Sequence, residues 1–62
     1  MKQYYIQYDV GRRGNILVNY HNGHTYHADG SPFFDVCILR NRQALRRFIN
    51  SLTAAGYVER SY

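Results

Sequence analysis

Three histidines spaced three residues apart, His21, His24 and His27, are the residues of this chain best suited to binding a metal. A zinc site needs three or four ligands that converge on one ion at about 2 Å. An Asn-Gly dipeptide follows the first histidine, and this pair is the strongest sequence signal for a two-residue β-hairpin turn. Such a turn pairs His21 with His24 on one face and places His27 on the other. The spacing therefore predicts two solvated histidines and a partly buried third, and we expect no metal.

The other groups that could perform catalysis are too scattered to form an active site. Cys37, the single cysteine, falls inside a strand pattern, where a thiol lacks the surroundings that activate it. The four Asp and Glu residues form no pair suited to acid–base catalysis. The "GRRG" motif at residues 11–14 lacks the Lys-Ser/Thr end of a phosphate-binding P-loop. We therefore expect a non-enzymatic protein without a cofactor.

Length and composition indicate one small domain, residues 1–62, in a reducing, cytoplasmic setting. A single cysteine excludes an internal disulfide and is typical of that compartment. No apolar run reaches the roughly 18 residues of a membrane span, and the N-terminus shows no signal-peptide pattern. We expect a complete intracellular reading frame without membrane association.

The elements that must position these residues follow from the hydrophobic period. Apolar residues alternate along "KQYYIQYDV" (2–10), which predicts a half-buried strand. The turn signals "GRRG", "NG" and "DGSP" separate three further strand patterns. These are "NILVNYH" (15–21), "HTYHA" (24–28) and "FFDVCIL" (33–39).

From Asn41 the period is that of a helix, with Asn41 as a suitable N-cap and Gly56 as a suitable C′ residue. The final "YVERSY" leaves open a short edge strand. The predicted class is α+β: an antiparallel sheet of three to five strands with a single amphipathic helix packed on one face, in the order β-β-β-β-α. The predicted core consists of Tyr4, Ile6, Tyr8, Ile16, Val18, Phe34, Val36 and Ile38 against Leu45, Phe48, Ile49 and Leu52.

The net charge of +4 comes from seven arginines and one lysine against four acidic residues. Codon composition explains such a surface without a partner. The other interpretation is an anionic partner, because arginine makes forked contacts with phosphate. Several arginines lie on the predicted helix opposite its apolar stripe, and two lie in the "GRRG" turn. The sheet face away from the helix is predicted to carry aromatic and polar side chains that suit bases or a protein surface.

In layout, "NILVNYHNGHTYHADGSPFFDVCILRNRQALRRFINSL" (15–52) resembles the AP2-type DNA-binding domains and the arm-binding domains of phage-type integrases. That resemblance implies an open sheet face inserted into the major groove. The whole chain also resembles the small accessory proteins of lambdoid phages and prophages. This second resemblance implies a role in tuning a phage or host process by binding.

Nucleic-acid binding is the function that these surfaces favour. The alternative is an effector of phage type that binds an acidic host protein, and a homodimer through the final edge strand is a third option. Arginines on the helix and a reading face opposite it suit a single duplex poorly. The predicted nucleic-acid-binding residues are Arg12, Arg13, Arg42, Arg46, Arg47, Tyr5, Asn19, His21, His24 and Tyr26.

Overall fold

The computed structural model describes residues 1–60 and has an α+β fold, with one helix on a four-stranded sheet. The elements are β1 (Gln3–Val10), β2 (Asn15–His21), β3 (Asp35–Leu39), α1 (Arg42–Ala54) and β4 (Val58–Glu59). Their order across the sheet is β3-β2-β1-β4. The predicted class and the short final strand are confirmed, while the end of "YVERSY", residues 61–62, lies outside the described residues.

The sheet is mixed, so the prediction of a wholly antiparallel sheet is wrong for one pair of strands. β2 is antiparallel to both β1 and β3, but β4 pairs parallel with Gln3 and Tyr4 of β1. The helix crossover is the physical reason. Because α1 carries the chain back along the sheet, β4 runs in the same direction as β3 and β1.

The predicted third strand, residues 24–28, is wrong. Residues 22–34 form a loop in which Tyr26 and Pro32 make one isolated bridge, and β2 pairs directly with β3. The Asn22 side chain stabilises this loop, because its Oδ1 accepts hydrogen bonds from the backbone N–H groups of His24 and Thr25 at 2.8 and 2.9 Å. We call residues 22–34 the aromatic loop.

A β-bulge near the end of β1 changes the direction of its side chains. Between the pairs that Gln7 and Val10 make with β2, Tyr8 and Asp9 together occupy the place of one residue. Asp9 adopts a φ of 54°. Tyr8 stays on the helix side, beside Arg42, but it is 54% exposed, so its predicted place in the core is wrong. The extra residue reverses the faces beyond it, so Val10 opposes Asn15 on the open face.

The helix has the predicted end signals. Asn41 Oδ1 accepts a hydrogen bond from Ala44 N at 2.8 Å, as an N-cap does. At the other end, Gly56 has a φ of 93°, and Tyr57 N donates to Leu52 O at 2.9 Å. This is a Schellman ending, with Gly56 at the predicted C′ position. Within residues 1–60, no helix has the length and apolar character needed to cross a membrane.

The core lies between α1 and one face of the sheet. Its buried members were all predicted, and they are Tyr4, Ile16, Val18, Leu45 and Leu52. Ile6, Phe48 and Ile49 pack against them partly buried, also as predicted. These contacts fix the angle at which α1 crosses the sheet and so decide where its polar side lies.

The side chains of β3 face the opposite way from the prediction: those predicted to face the helix lie on the other side of the sheet. Val18 pairs with Cys37, and opposed residues share a face, so Cys37 lies on the helix side. Val36 and Ile38 therefore lie on the other face, where they are 53% and 63% exposed. Their predicted place in the core is wrong, as is that of Phe34, whose ring packs on that same open face.

Candidate functional site

Six of the eight basic residues gather at one end of the sheet. β1 and β3 both run toward this end, so the β1–β2 turn and the β3–α1 junction meet there. Of the four carboxylates, Asp9 alone lies at this end, because the other three lie in the aromatic loop or near the opposite end. We call this region the basic end. Its arginines are Arg12, Arg13, Arg40, Arg42, Arg46 and Arg47.

At the basic end, the Arg42 guanidinium lies over the ring of Tyr8, with 5.8 Å between Cζ and the ring centroid. Arg42 also lines two adjacent concave regions of about 250 and 300 Å³, which we together call the Arg42 groove. The smaller one is lined by Arg42, Leu45, Arg46, Ile49 and Asn50 along one side of α1. The larger one is lined by Tyr8, Asp9, Gly14, Ile16, Arg40, Asn41 and Arg42.

The electrostatics of the Arg42 groove favour an anion. The first turn of α1 contains no acidic residue, so nothing there offsets the positive end of the helix dipole. The Asp9 carboxylate lies against the β1–β2 turn. Its Oδ1 is so close to Gly14 that a Cβ on that residue would be only 3.0 Å away. Three guanidinium groups beside an exposed aromatic ring can bind phosphate by forked hydrogen bonds and a base by stacking.

Two residues of the predicted reading face are buried and make internal hydrogen bonds. Asn19 Nδ2 donates to Gln7 Oε1 at 3.1 Å. His21 is 2% exposed, and its Nδ1 lies 2.9 Å from the carbonyl oxygen of Phe33. The ring of Phe34 also packs against the His21 ring, with 5.5 Å between their centroids. His21 thus anchors the aromatic loop to the sheet, and its predicted place at a solvated hairpin tip is wrong.

The three histidines do not converge. His21 is opposed by Gln3 of β1, and His24 lies exposed in the aromatic loop. His27 is exposed too, with its ring 5.2 Å from that of Phe33, so its predicted partial burial is wrong. Within residues 1–60, no group of three or more His, Cys, Asp or Glu side chains could hold a metal ion.

The remaining predicted reading residues lie far from the basic end. Tyr5 lies on the open face, where its ring contacts Phe34. Tyr26 lies in the aromatic loop with its ring 5.2 Å from that of His21. Beyond the loop, Val36 and Ile38 leave part of the open face uncovered. The structure therefore places the five predicted arginines in the β1–β2 turn and the first half of α1, which meet at the basic end, and separates them from the five predicted reading residues.

Sequence reasoning missed Tyr8 and Arg40 as members of the site. Alternation placed Tyr8 on the helix side and so in the core, but it does not show which part of that face the helix leaves exposed. Asp9 is the sequence signal for the bulge beside it, since Asp tolerates a positive φ better than most residues. Arg40 was missed because it lies in the junction between β3 and α1, outside the helix on which the other arginines were recognised.

Comparison of this chain with protein-family models, with curated proteins and with solved structures finds no match. The Arg42 groove and the open face are the two surfaces that bear on function.

Proposed function

We propose that this protein is a non-enzymatic nucleic-acid-binding protein whose Arg42 groove holds a single-stranded segment. The observation that carries the proposal is the position of the Arg42 guanidinium over the exposed Tyr8 ring, between two concave regions that also contain Arg40 and Arg46. Sites for single strands combine basic groups that follow the backbone with aromatic rings on which bases stack. The groove contains both.

A single strand fits this arrangement better than a duplex does. The arginines follow the end of the sheet and the outer side of α1, whereas the open face lies on the other side of the sheet. A stiff duplex cannot contact both, but a flexible strand can follow the groove. Arg12, Arg13 and Arg47 extend the positive surface for flanking phosphates. Base contact in this proposal belongs to Tyr8.

Fluorescence anisotropy with a labelled oligothymidine and a duplex of equal length, at several salt concentrations, tests the proposal. We expect tighter binding of the single strand, with a salt slope of about −0.7 per phosphate contact. Arg42→Gln should weaken binding and make the slope shallower by about 0.7. Tyr8→Ala should cost about 1–3 kcal/mol of binding energy but leave the slope unchanged, because it removes a stacking surface and no charge.

Lys2→Gln is the matched control, since it removes one positive charge at the opposite end of the sheet, where Lys2 Nζ donates to Ala55 O at 2.8 Å. We expect it to weaken binding far less than Arg42→Gln. Equal losses for the two variants would show that only net charge matters. The absence of binding to every oligonucleotide at low salt would contradict the proposed function itself.

An effector that binds a host protein is the second candidate function. The aromatic loop favours it, because Tyr26 and Phe33 remain exposed and a hydrogen bond from Phe33 N to Thr25 O holds the two strand-like arms of the loop together. Exposed aromatic side chains are frequent anchors in protein interfaces. Capture from a nuclease-treated lysate should recover a partner with the wild-type chain and lose it with Tyr26→Ser/Phe33→Ser. Recovery of no specific partner counts against this candidate.

A further inference from the structure

β3 is an exposed edge of the sheet along its whole length. All five of its residues pair with β2 on one side. Within residues 1–60, no backbone hydrogen bond from a loop or turn reaches residues 35–39. Val36 and Ile38 also place exposed apolar side chains on the open face. An exposed apolar edge strand of this kind is a template for pairing with another strand.

The opposite edge of the sheet carries the protections that β3 lacks. β4 has two residues, one of them Glu59, and Arg60 follows it. Beyond β4, the bulge at Tyr8 and Asp9 interrupts the outer edge of β1. Short length, charge and bulges are the usual means of blocking strand addition. In β3 there is no bulge, no proline and no lysine, and its one charged residue stands at its first position.

We infer that the β3 edge binds the β3 edge of a second copy of this chain, antiparallel, with the two Cys37 residues opposed. This register is the one in which all five residues of β3 find a partner. It places Val36 opposite the partner's Ile38, so the two exposed apolar pairs contact each other. Because opposed residues share a face, both helices lie on the same side of one continuous sheet.

Charge complementarity favours the antiparallel arrangement of the two copies. Asp35 begins β3, and Arg40 directly follows it. In the proposed register, Asp35 lies opposite the partner's Leu39 and next to the partner's Arg40, and the reciprocal contact forms at the other end. A parallel arrangement would instead place like charges side by side, which destabilises strand pairs.

Sedimentation velocity over the micromolar to millimolar range tests the inference. We expect a reversible dimer. Val36→Glu and Ile38→Glu should each weaken it by about tenfold or more, because each variant buries a carboxylate against an apolar side chain at two symmetric places. The double variant Val36→Glu/Ile38→Lys should restore the dimer, because the register then places opposite charges in direct cross-strand pairs.

Val58→Glu is the matched control, since it adds the same charge at the 59% exposed position on the protected edge and should leave the dimer unchanged. Circular dichroism at low concentration verifies that each variant is folded. A chain that stays monomeric at every concentration overturns the inference. So does a dimer that the two single variants do not weaken, or one that the double variant does not restore.

Mild oxidation gives a second, register-specific measurement. The Cβ atoms of directly opposed residues lie about 4.5–5.5 Å apart, close to the separation that a disulfide spans. Diamide should therefore join the two Cys37 thiols of a dimer in one disulfide, while their two hydrogens reduce the diamide. Cys37→Ser should abolish the cross-link but keep the dimer in sedimentation. A cross-link that persists undiminished in Val36→Glu overturns the register.

Discussion

The two faces of the sheet bury opposite kinds of side chain. On the face beneath α1, apolar residues are buried, and Val18 is fully enclosed. On the open face, the polar Asn19 and His21 are buried, while the apolar Val36 and Ile38 are exposed. The two faces belong to the same strands, so the alternation of side chains alone does not account for the difference.

Whether α1 or the aromatic loop packs over a side chain decides its burial here more than its residue type does. α1 spans the middle of one face, whereas the aromatic loop covers only the part of the open face around His21, where the rings of Tyr26 and Phe34 contact it. β3 lies at the edge of the sheet, beyond that cover. We therefore expect substitutions to lower the free energy of unfolding most beneath α1, less beneath the aromatic loop, and least on the uncovered part of the open face.

The largest expected effect is that of Leu52→Ala beneath α1. Leu52 belongs to the buried core, so its truncation leaves a cavity and should cost about 2–5 kcal/mol of unfolding free energy. A core of this size rarely supplies more than about 3–5 kcal/mol in total, so this variant should be largely unfolded in far-UV circular dichroism. Ile38→Ala, measured by urea unfolding at low protein concentration, is the control on the open face and should change stability by about 0.5 kcal/mol or less.

His21→Ala is the intermediate case, beneath the aromatic loop. It leaves the carbonyl oxygen of Phe33 without its side-chain partner and removes two ring contacts, so we expect a loss of about 1–3 kcal/mol. His24→Ala, at an exposed position, should cost about 0.5 kcal/mol or less. Urea unfolding of both variants measures the difference. Equal losses of unfolding free energy would mean that packing of the aromatic loop on His21 does not stabilise the fold.

These histidines also show where prediction from the sequence stops. Asn41, Gly56 and the stripe from Leu45 to Leu52 are local signals, and local hydrogen bonds confirmed them. The Asn-Gly pair is a local signal too, but Asn22 uses its side chain to close a loop instead of a hairpin turn. The competition between these two structures depends on whether β3 pairs with β2, which is a long-range contact.

The candidate site depends on the same long-range contact. The arginines of the "GRRG" turn and of the helix were each recognised from the sequence. Their meeting at one end was not, because it requires that one strand, and not two, lies between His21 and the helix. Alternation assigns Tyr8 to the correct face, but it does not show that the ring lies beside the first residue of α1 and stays exposed.

A smaller loss of stability is expected from Asn41→Ala, at the N-terminal end of α1. The variant removes the hydrogen bond to Ala44 N that caps α1 and should cost about 0.5–2 kcal/mol. The loss acts through the helix, so hydrogen exchange should increase in the first turn of α1 before it increases in β2. Asn50→Ala, on the exposed side of the same helix, is the control. Unchanged unfolding of Asn41→Ala would show that packing alone sets the start of the helix.

The buried phenol of Tyr4, beneath α1, should make the protein less stable at alkaline pH. Burial raises the pKa of the Tyr4 phenol, and the Glu59 carboxylate raises it further. A group whose pKa is raised by folding contributes stability that is complete below its unfolded pKa, near 10, and is lost as the pH rises through the folded pKa. Urea unfolding of the wild type should therefore weaken above about pH 10 more steeply than that of Tyr4→Phe. Equal slopes would show that the phenol ionises without cost in the fold.

The smallest expected effect lies in the turn that closes the aromatic loop. Ser31 donates to Asp29 Oδ1 from its hydroxyl at 2.7 Å and from its backbone N–H at 3.0 Å, and these bonds lower the pKa of the Asp29 carboxyl. A lowered pKa contributes stability above the unfolded value that is lost as the pH falls through the folded one, below about 4. Ser31→Ala removes the hydroxyl bond, so an NMR titration should show the Asp29 pKa rising toward its ordinary value. Global stability at neutral pH should stay nearly unchanged, because the turn is exposed and the loop remains anchored at His21. A titration identical to that of the wild type would mean that the backbone bond alone stabilises the carboxylate.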